Sequence, residues 1–353
     1  MDNRYFSDKL VEWYLMNKRD LPWRDTKDPY KVWLSEIILQ QTRVNQGMPY
    51  YLKFVERFPT VYDLAAASEH DVLRLWQGLG YYTRARNMHK CAKVVVSSFN
   101  GSFPTDYHSL QKLPGIGEYT AAAIASFSFQ QPVAVVDGNV FRVLSRVFGI
   151  EKEINSPEGK KVFSDLANSL INPKIPDFHN QGLMEFGALH CLPKNPLCES
   201  CHFLTQCFAA QNNLQSALPR KVKGKPSRRR YFYYIVVQKG KSLLMQKREG
   251  KDIWHGLYDF QLLELNRPSA VNKVLSEVSA IFPGLVDNEG IVSPPYKHVL
   301  THQIIIARFV VIRVQKFMKP KDKNLKFYTF DQINDLPKPV LISRFLSDCK
   351  KLL

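Results

Sequence analysis

The stretch that decides the fold runs from Leu113 to Asn139. It opens Leu113-Pro114-Gly115-Ile116-Gly117-Glu118-Tyr119-Thr120, continues through an alanine-rich segment and closes Val136-Asp137-Gly138-Asn139-Val140. Pro114 and two glycines break one helix, and Tyr119 to Phe127 supplies the helix formers and small residues of the next. Glycine at both 115 and 117 permits backbone conformations closed to other residues and leaves the amides unobstructed. A tight hairpin feeding a helix N-terminus offers N–H groups and a positive dipole end to an anion, so the pattern reads as a phosphate seat. An isolated G-x-G is more often an ordinary helix corner. The rest of the chain has to separate the two readings.

Working outward, the apolar spacing stays helical from Phe6 to beyond residue 200. Leu10, Val11, Tyr14 and Leu15 form one face, and Val72, Leu75 and Trp76 another. Asp28-Pro29, Phe58-Pro59, Phe103-Pro104 and Ser156-Pro157 punctuate these helices. An all-α domain over residues 1–213 is therefore expected. Residues 214–230 change character: Arg220, Lys221, Lys223, Lys225, Arg228, Arg229 and Arg230 carry positive charge with no acid among them. That run reads as a solvated linker able to lie on phosphates. Beyond it, strand patterns at Tyr231–Gln238, Leu243–Gln246, Tyr296–Leu300 and Gln303–Val314 alternate with helical patterns near 270–281 and 340–352. The region 231–353 is expected to be α+β.

The 353 residues carry 49 Lys+Arg against 32 Asp+Glu, a formal charge of +17, with 45% apolar residues. This describes folded domains whose charge favours a polyanionic partner. No segment approaches a membrane span, and the N-terminus lacks the apolar core of a secretory signal. A cytoplasmic, nucleoid-associated bacterial protein acting as a monomer without membrane contact is the expectation.

Cys191, Cys198, Cys201 and Cys207 form a C-x6-C-x2-C-x5-C loop over 191–207. Only one pair has the two-residue spacing of a zinc knuckle, and four thiolates in one short loop suit a cube of iron and sulfide; structural zinc is the competitor. His190 and His202 flank a set the four cysteines already complete. Cys91 and Cys349 remain as buried or incidental thiols.

The L-P-G-I-G run resembles the helix-hairpin-helix signature of the endonuclease III superfamily of DNA glycosylases, and the cysteine spacing matches its [4Fe-4S] loop. Leu21-Pro22-Trp23-Arg24, Tyr30 to Thr42 and Gly78-Leu79-Gly80-Tyr81-Tyr82 resemble the adenine DNA glycosylases, the MutY family, over most of residues 10–210. What the resemblance implies is a monofunctional glycosylase that extrudes adenine from double-stranded DNA where it is mispaired with 8-oxoguanine or guanine. Glu36 falls at the family's acid, which protonates the base, and Asp137 at its carboxylate facing the sugar, with Tyr119 and Asn139 in support. Such a division suits an oxocarbenium-like transition state. Read singly, Glu36 is a capping or solvated helix residue, and Asp137 an N-cap.

The endonuclease III branch carries a lysine nucleophile where Tyr119 stands, and a phenol forms no Schiff base. By resemblance Arg24 and Glu185 line the base pocket. Gln41, Thr42 and Tyr81 reach into the stack around the opposite base, and Gly115 and Gly117 meet the DNA backbone. Tyr82 and Trp33 read as core.

Residues 231–353 resemble the family's Nudix-like C-terminal domain, with Trp254-His255-Gly256-Leu257-Tyr258-Asp259-Phe260 as the lead into a Nudix box. The acidic helix that should follow is replaced by Gln261-Leu262-Leu263-Glu264-Leu265-Asn266-Arg267-Pro268, and no acidic cluster occurs before Glu289. Without grouped carboxylates a divalent-metal site is not expected. The resemblance assigns this domain to lesion recognition, with Thr301 and His302 in its reading loop and Leu300 where relatives carry Phe.

Overall fold

The computed structural model describes residues 2–222, 226–250, 252–282, 290–315 and 324–348. Lys223, Lys225, Glu289 and Cys349 lie outside them, as does the end of the helical pattern near 340–352. The chain divides into two compact units, Met1–Ala67 with Asn87–Lys223, and Ser68–Arg86 with Gly224–Leu353. The sequence reading assigns residues 68–86 to the helical domain; in the structure they pack with the C-terminal unit.

The helices of the first 213 residues are α1 (Asn3–Asn17), α2 (Pro29–Leu39), α3 (Val44–Arg57), α4 (Val61–Ala66), α5 (Glu69–Leu75) and α6 (Thr83–Phe99), then α7 (Tyr107–Gln111), α8 (Glu118–Phe129), α9 (Gly138–Phe148), α10 (Pro157–Leu170), α11 (Pro176–Leu189) and α12 (Phe208–Gln211). The proline signals mark their ends. Asp28 caps α2 by accepting from the Tyr30 amide with Pro29 in the first turn, and Ser156 does the same for α10 at the Gly159 amide.

Helix α2 is buried on nearly every side, from Tyr30 through Ile38, as expected of a helix that is apolar all round. Helix α8 lies against it, and its buried Ala121, Ala122, Ala123 and Ala125 let the two backbones approach. A second core joins Phe6, Leu10 and Tyr14 of α1 to Val140 and Leu144 of α9 and Phe186 of α11. Cys191, Cys201 and Cys207 pack on its edge.

The hairpin between α7 and α8 bears out the glycine argument at one position only. Gly115 has φ +77°, and a Cβ there would stand 2.7 Å from Asn87 Cβ. Gly117 is extended, with φ −94° and ψ −177°, a conformation any residue adopts, so the expectation of special backbone freedom fails there. Nothing lies within 4 Å of where its Cβ would be, so glycine at 117 keeps the start of α8 open.

In the C-terminal unit the described strands are β1 (Arg228–Lys239), β2 (Ser242–Lys247), β3 (Tyr258–Asp259), β4 (Gln261–Leu265), β5 (Ile291–Val292), β6 (Tyr296–Val299), β7 (Gln303–Arg313) and β8 (Lys326–Thr329). They form one mixed sheet, ordered β3-β2-β1-β7-β5, with β4 on β1, β6 on β7 and β8 on β2. Strands β1 and β7 run parallel from the Arg228–Gln303 pair to the Gln238–Arg313 pair. Helices α13 (Val271–Ile281), α14 (Phe330–Asp335) and α15 (Val340–Asp348) complete the unit. This is the expected architecture, an all-α domain followed by α+β. Two readings need correction. Arg228, Arg229 and Arg230 belong to β1 rather than to a solvated linker, because a long parallel partner extends the strand backward. The sequence pattern also missed α14, a single turn and a half fixed by a capping box between Thr329 and Gln332.

Among the described residues no helix is long and apolar enough to cross a membrane.

Candidate active site

Four elements of the helical unit converge on one cavity of about 190 Å³. Glu36 and Ser35 come from α2, Tyr119 from the first turn of α8, Asp137 and Asn139 from the start of α9, and Glu185 from α11. Arg24, Trp23 and Thr42 complete the rim. The residues widely separated in sequence are brought together.

Glu36 is 7% exposed and lies inside α2, so it is neither a cap nor a solvated helix residue. Burial pushes its carboxyl up to about 7; the nearby Asp137 adds to this, while the Tyr119 hydroxyl and Arg24 oppose it. Tyr119 is half-buried on the cavity wall, and burial with the two neighbouring carboxyls drives its phenol well above the ordinary range, so it stays protonated beside Glu36.

Asp137 is the N-cap of α9 as well as a wall of the cavity. Its Oδ1 accepts from the amides of Asn139 and Val140, both at 2.8 Å, and its Oδ2 from the Asn139 side chain at 2.8 Å. Burial raises its carboxyl, and these three donors with Arg142 pull in the other direction. The two acids are therefore unequal: Asp137 has three N–H donors and a helix N-terminus to hold a negative charge, whereas Glu36 has one phenol.

Glu185 is held differently again. Arg19 Nε and Nη2 reach its carboxylate at 2.8 and 2.6 Å, and Arg24 Nη1 and Nη2 at 2.9 and 2.7 Å. Burial alone would raise this group, but the two guanidinium forks outweigh it and hold it at about 2. Arg19 was not anticipated from the sequence, although it stands five residues before Arg24 in the same loop.

Gln41 does not line the cavity. It is exposed with φ +54°, just past the end of α2. Tyr81, Thr301 and His302 belong to the other unit. There Thr301 and His302 form the exposed turn between β6 and β7, closed by the Leu300 amide on the Gln303 carbonyl at 2.8 Å. The hydroxyls of Tyr81 and Thr301 are hydrogen-bonded to each other. Tyr82 and Trp33 are core, and Trp23, 9% exposed, packs edge-on against Tyr51 while facing the cavity.

The four cysteines of the loop line a second, apolar hollow, and their sulfurs lie near enough to influence one another's ionisation. Arg146 Nη1 sits 3.4 Å from Cys191 Sγ and donates to the Leu192 carbonyl at 2.7 Å. Arg142 Nε donates to the Cys191 carbonyl at 2.8 Å, and its Nη2 to Asn139 Oδ1 at 2.8 Å. These arginines were also missed; their i,i+4 spacing on α9 was the available signal. Among the described residues no three His, Cys, Asp or Glu groups are spaced to hold one metal ion. The donor chemistry, four thiols around one apolar hollow, suits an iron–sulfur core. His190 stacks on Phe186 at the wall of the same hollow, and Cys91 is fully buried.

Residues 34–169 match the HhH-GPD superfamily base excision DNA repair protein family, and residues 232–348 match the NUDIX domain. An adenine DNA glycosylase of Buchnera aphidicola subsp. Baizongia pistaciae is 34% identical over 99% of this chain and 98% of its own length. The chain belongs to the adenine DNA glycosylase family. A Rattus norvegicus adenine DNA glycosylase is 34% identical across 85% of this chain and 69% of its own. The solved structure of a thermostable thymine-DNA glycosylase superposes with a TM-score of 0.56 at 29% identity, over 60% of this chain and 97% of that one. As a family member this chain is a base excision repair hydrolase acting on N-glycosyl bonds, with a helix-hairpin-helix domain ahead of a Nudix-like one.

The Nudix-like unit has turned its acids to structural use. Gln261–Leu265 is strand β4 rather than an acidic helix. Arg230 grips Glu264 at 2.6 Å and Asp252 at 2.7 Å, and Arg248 grips Asp259 at 2.7 Å. Each of these carboxylates is paired with a guanidinium.

Proposed function

We propose that this glycosylase removes adenine mispaired with 8-oxoguanine, and less efficiently with guanine, leaving an abasic site without cutting the strand. The observation that carries the reading is the unequal pair of carboxyls on one base-sized cavity: Glu36, raised to about 7, and Asp137, held by three N–H donors. Glu36 donates its proton to a ring nitrogen of the extruded adenine. The glycosidic electron pair leaves with the base, and the ionised Asp137 stabilises the positive charge that develops on the sugar. Water then adds to the anomeric carbon and gives up a proton. Tyr119 holds Glu36 and forms no imine, which is the basis for assigning a monofunctional reaction. Asn139 fixes the Asp137 carboxylate, and Glu185 acts through Arg24 and Arg19 to shape the wall of the pocket.

Duplex contacts extend this reading. The turn at Gly115 and Gly117 seats a backbone phosphate on the open start of α8. Thr42, Gln41 and Tyr81 enter the stack around the opposite base, and Thr301 with His302 recognises the altered edge of 8-oxoguanine. Cys191, Cys198, Cys201 and Cys207 hold a [4Fe-4S] cluster, which supplies a rigid, redox-capable cross-link for the loop. A four-duplex panel tests the whole: adenine opposite 8-oxoguanine, guanine, cytosine or thymine, each with and without alkali. Strand breaks that need alkali and occur only with the first two are expected. Alkali-independent breaks, or equal excision from all four, would reject the assignment.

A further inference from the structure

Tyr81, like Gln41 among the proposed DNA-contacting residues, has a left-handed backbone. It has φ +49°, in a loop where Gly78 and Gly80 are also left-handed at +110° and +75°. Glycine adopts that region freely, but a tyrosine there is held by its surroundings. Its ring is also 47% exposed, so no core packing fixes it.

What holds it, besides the hydrogen bond between its hydroxyl and Thr301, is a layered stack within the same unit. The Arg84 guanidinium lies 5.6 Å from the centre of the Tyr81 ring and 5.1 Å from that of Trp76. Trp76 is fully buried. The loop backbone is gripped by the same two side chains, since Trp76 Nε1 and Arg84 Nη2 both donate to the Gly80 carbonyl, at 2.9 and 3.4 Å. The Arg84 amide donates to the Tyr81 carbonyl at 2.8 Å. A planar cation held against a buried indole therefore forms a platform on which the exposed phenol rests. Burial lowers the Arg84 guanidinium to about 10, still charged at neutral pH.

From this geometry we infer that Arg84 is a positioning residue for opposite-base recognition: backed by Trp76, it pre-sets the Tyr81 ring and so fixes the preference for adenine opposite 8-oxoguanine over adenine opposite guanine. The inference rests on the proposed role of Tyr81 beside the opposite base. Arg84 need not touch DNA. It removes the freedom that an exposed aromatic would otherwise lose on insertion.

The test is a double-mutant cycle on the full protein, reading the ratio of excision rate constants for the two mispairs. Y81A and R84A are each expected to lower that ratio about tenfold, the order of a cation–π contact. The double variant should be no worse than either single one, because both remove the same element. R84K, which keeps the charge but not the planar face, should fall in between and guards against misfolding of R84A. A lowered ratio in Y81A beside an unchanged one in R84A and R84K overturns the positioning role alone. So do losses that multiply in the double variant, or an equal loss on both mispairs with a shallower salt dependence, which would mark Arg84 as a plain phosphate contact. An unchanged ratio in Y81A overturns the reading of Tyr81 and the positioning role with it.

Discussion

The two units give their carboxylates different partners. In the helical unit Glu36 meets a phenol and no fixed ion pair, and its affinity for a proton rises to about 7. In the Nudix-like unit Arg230 clamps the exposed Asp252 and Glu264, while Arg248 clamps the fully buried Asp259, whose carboxyl burial still raises to about 6. The lesson is that burial alone does not make an acid chemically useful. A raised carboxyl is available for proton transfer where it faces a cavity with no guanidinium bonded to it, as Glu36 does; Asp259, raised but bonded to Arg248 in the core, serves the fold. Glu185 shows the second treatment inside the first unit, at about 2 between Arg19 and Arg24.

The sharpest way to break this contrast is at Glu36. Glu36→Gln should lower single-turnover excision by about 10³-fold or more, with duplex affinity unchanged, since only the transferable proton is lost. Retained excision in a rapid-quench measurement would remove Glu36 as the acid. Asp137→Asn should come next, with about 10²-fold slower excision from the lost charge. Its melting temperature should hardly move, because asparagine still caps α9.

Proton linkage gives a third comparison. Because Glu36 must be protonated to act, excision should fall about tenfold per pH unit once pH exceeds about 7. The same shift fixes the sign of the stability effect. Between its model value of 4.5 and about 7 the folded chain keeps a proton that the unfolded chain releases, so stability drops as pH rises through that window, by at most about 3 kcal/mol. Denaturant titrations of the wild type and Glu36→Gln at pH 5 and pH 8 should show a steeper fall in the wild type, since raised Asp259 contributes equally to both.

Smaller still is the effect at Arg230, whose partners are partly solvated. Arg230→Met should cost about 1–2 kcal/mol of stability and leave the excision rate of the folded protein intact. A large loss of excision with no change in melting would show that the clamp is not structural. Thr301→Ala should be the mildest, lowering the preference for 8-oxoguanine a few-fold without altering the maximal rate, about the value of one hydrogen bond.

Much of this was legible in the chain itself. The proline and cap signals before α2 and α10, the hairpin at Gly115 and the β-branched run of β7 are local, so they survive as pattern. The basic run at Arg228–Arg230 misleads because its meaning is non-local: strand β7 recruits it into the sheet, and Asp252 and Glu264, far along the chain, neutralise Arg230. Arg19, Arg142 and Arg146 escape notice for the same reason, since arginines look alike in sequence until their partners arrive.

From the order of its residues alone the chain determined a helix-hairpin-helix domain, a four-cysteine loop, a second α+β domain without a metal-binding helix, and the residue types available for chemistry. Only the tertiary structure decided that Glu36, Tyr119, Asp137 and Asn139 face one cavity, that Glu185 is locked by two arginines, and that Tyr81 rests on Arg84. The reason is physical: helix ends and turns are set by neighbours a few residues away, whereas the charge state of a carboxyl and the pose of an exposed ring depend on groups that only folding brings within a few ångströms.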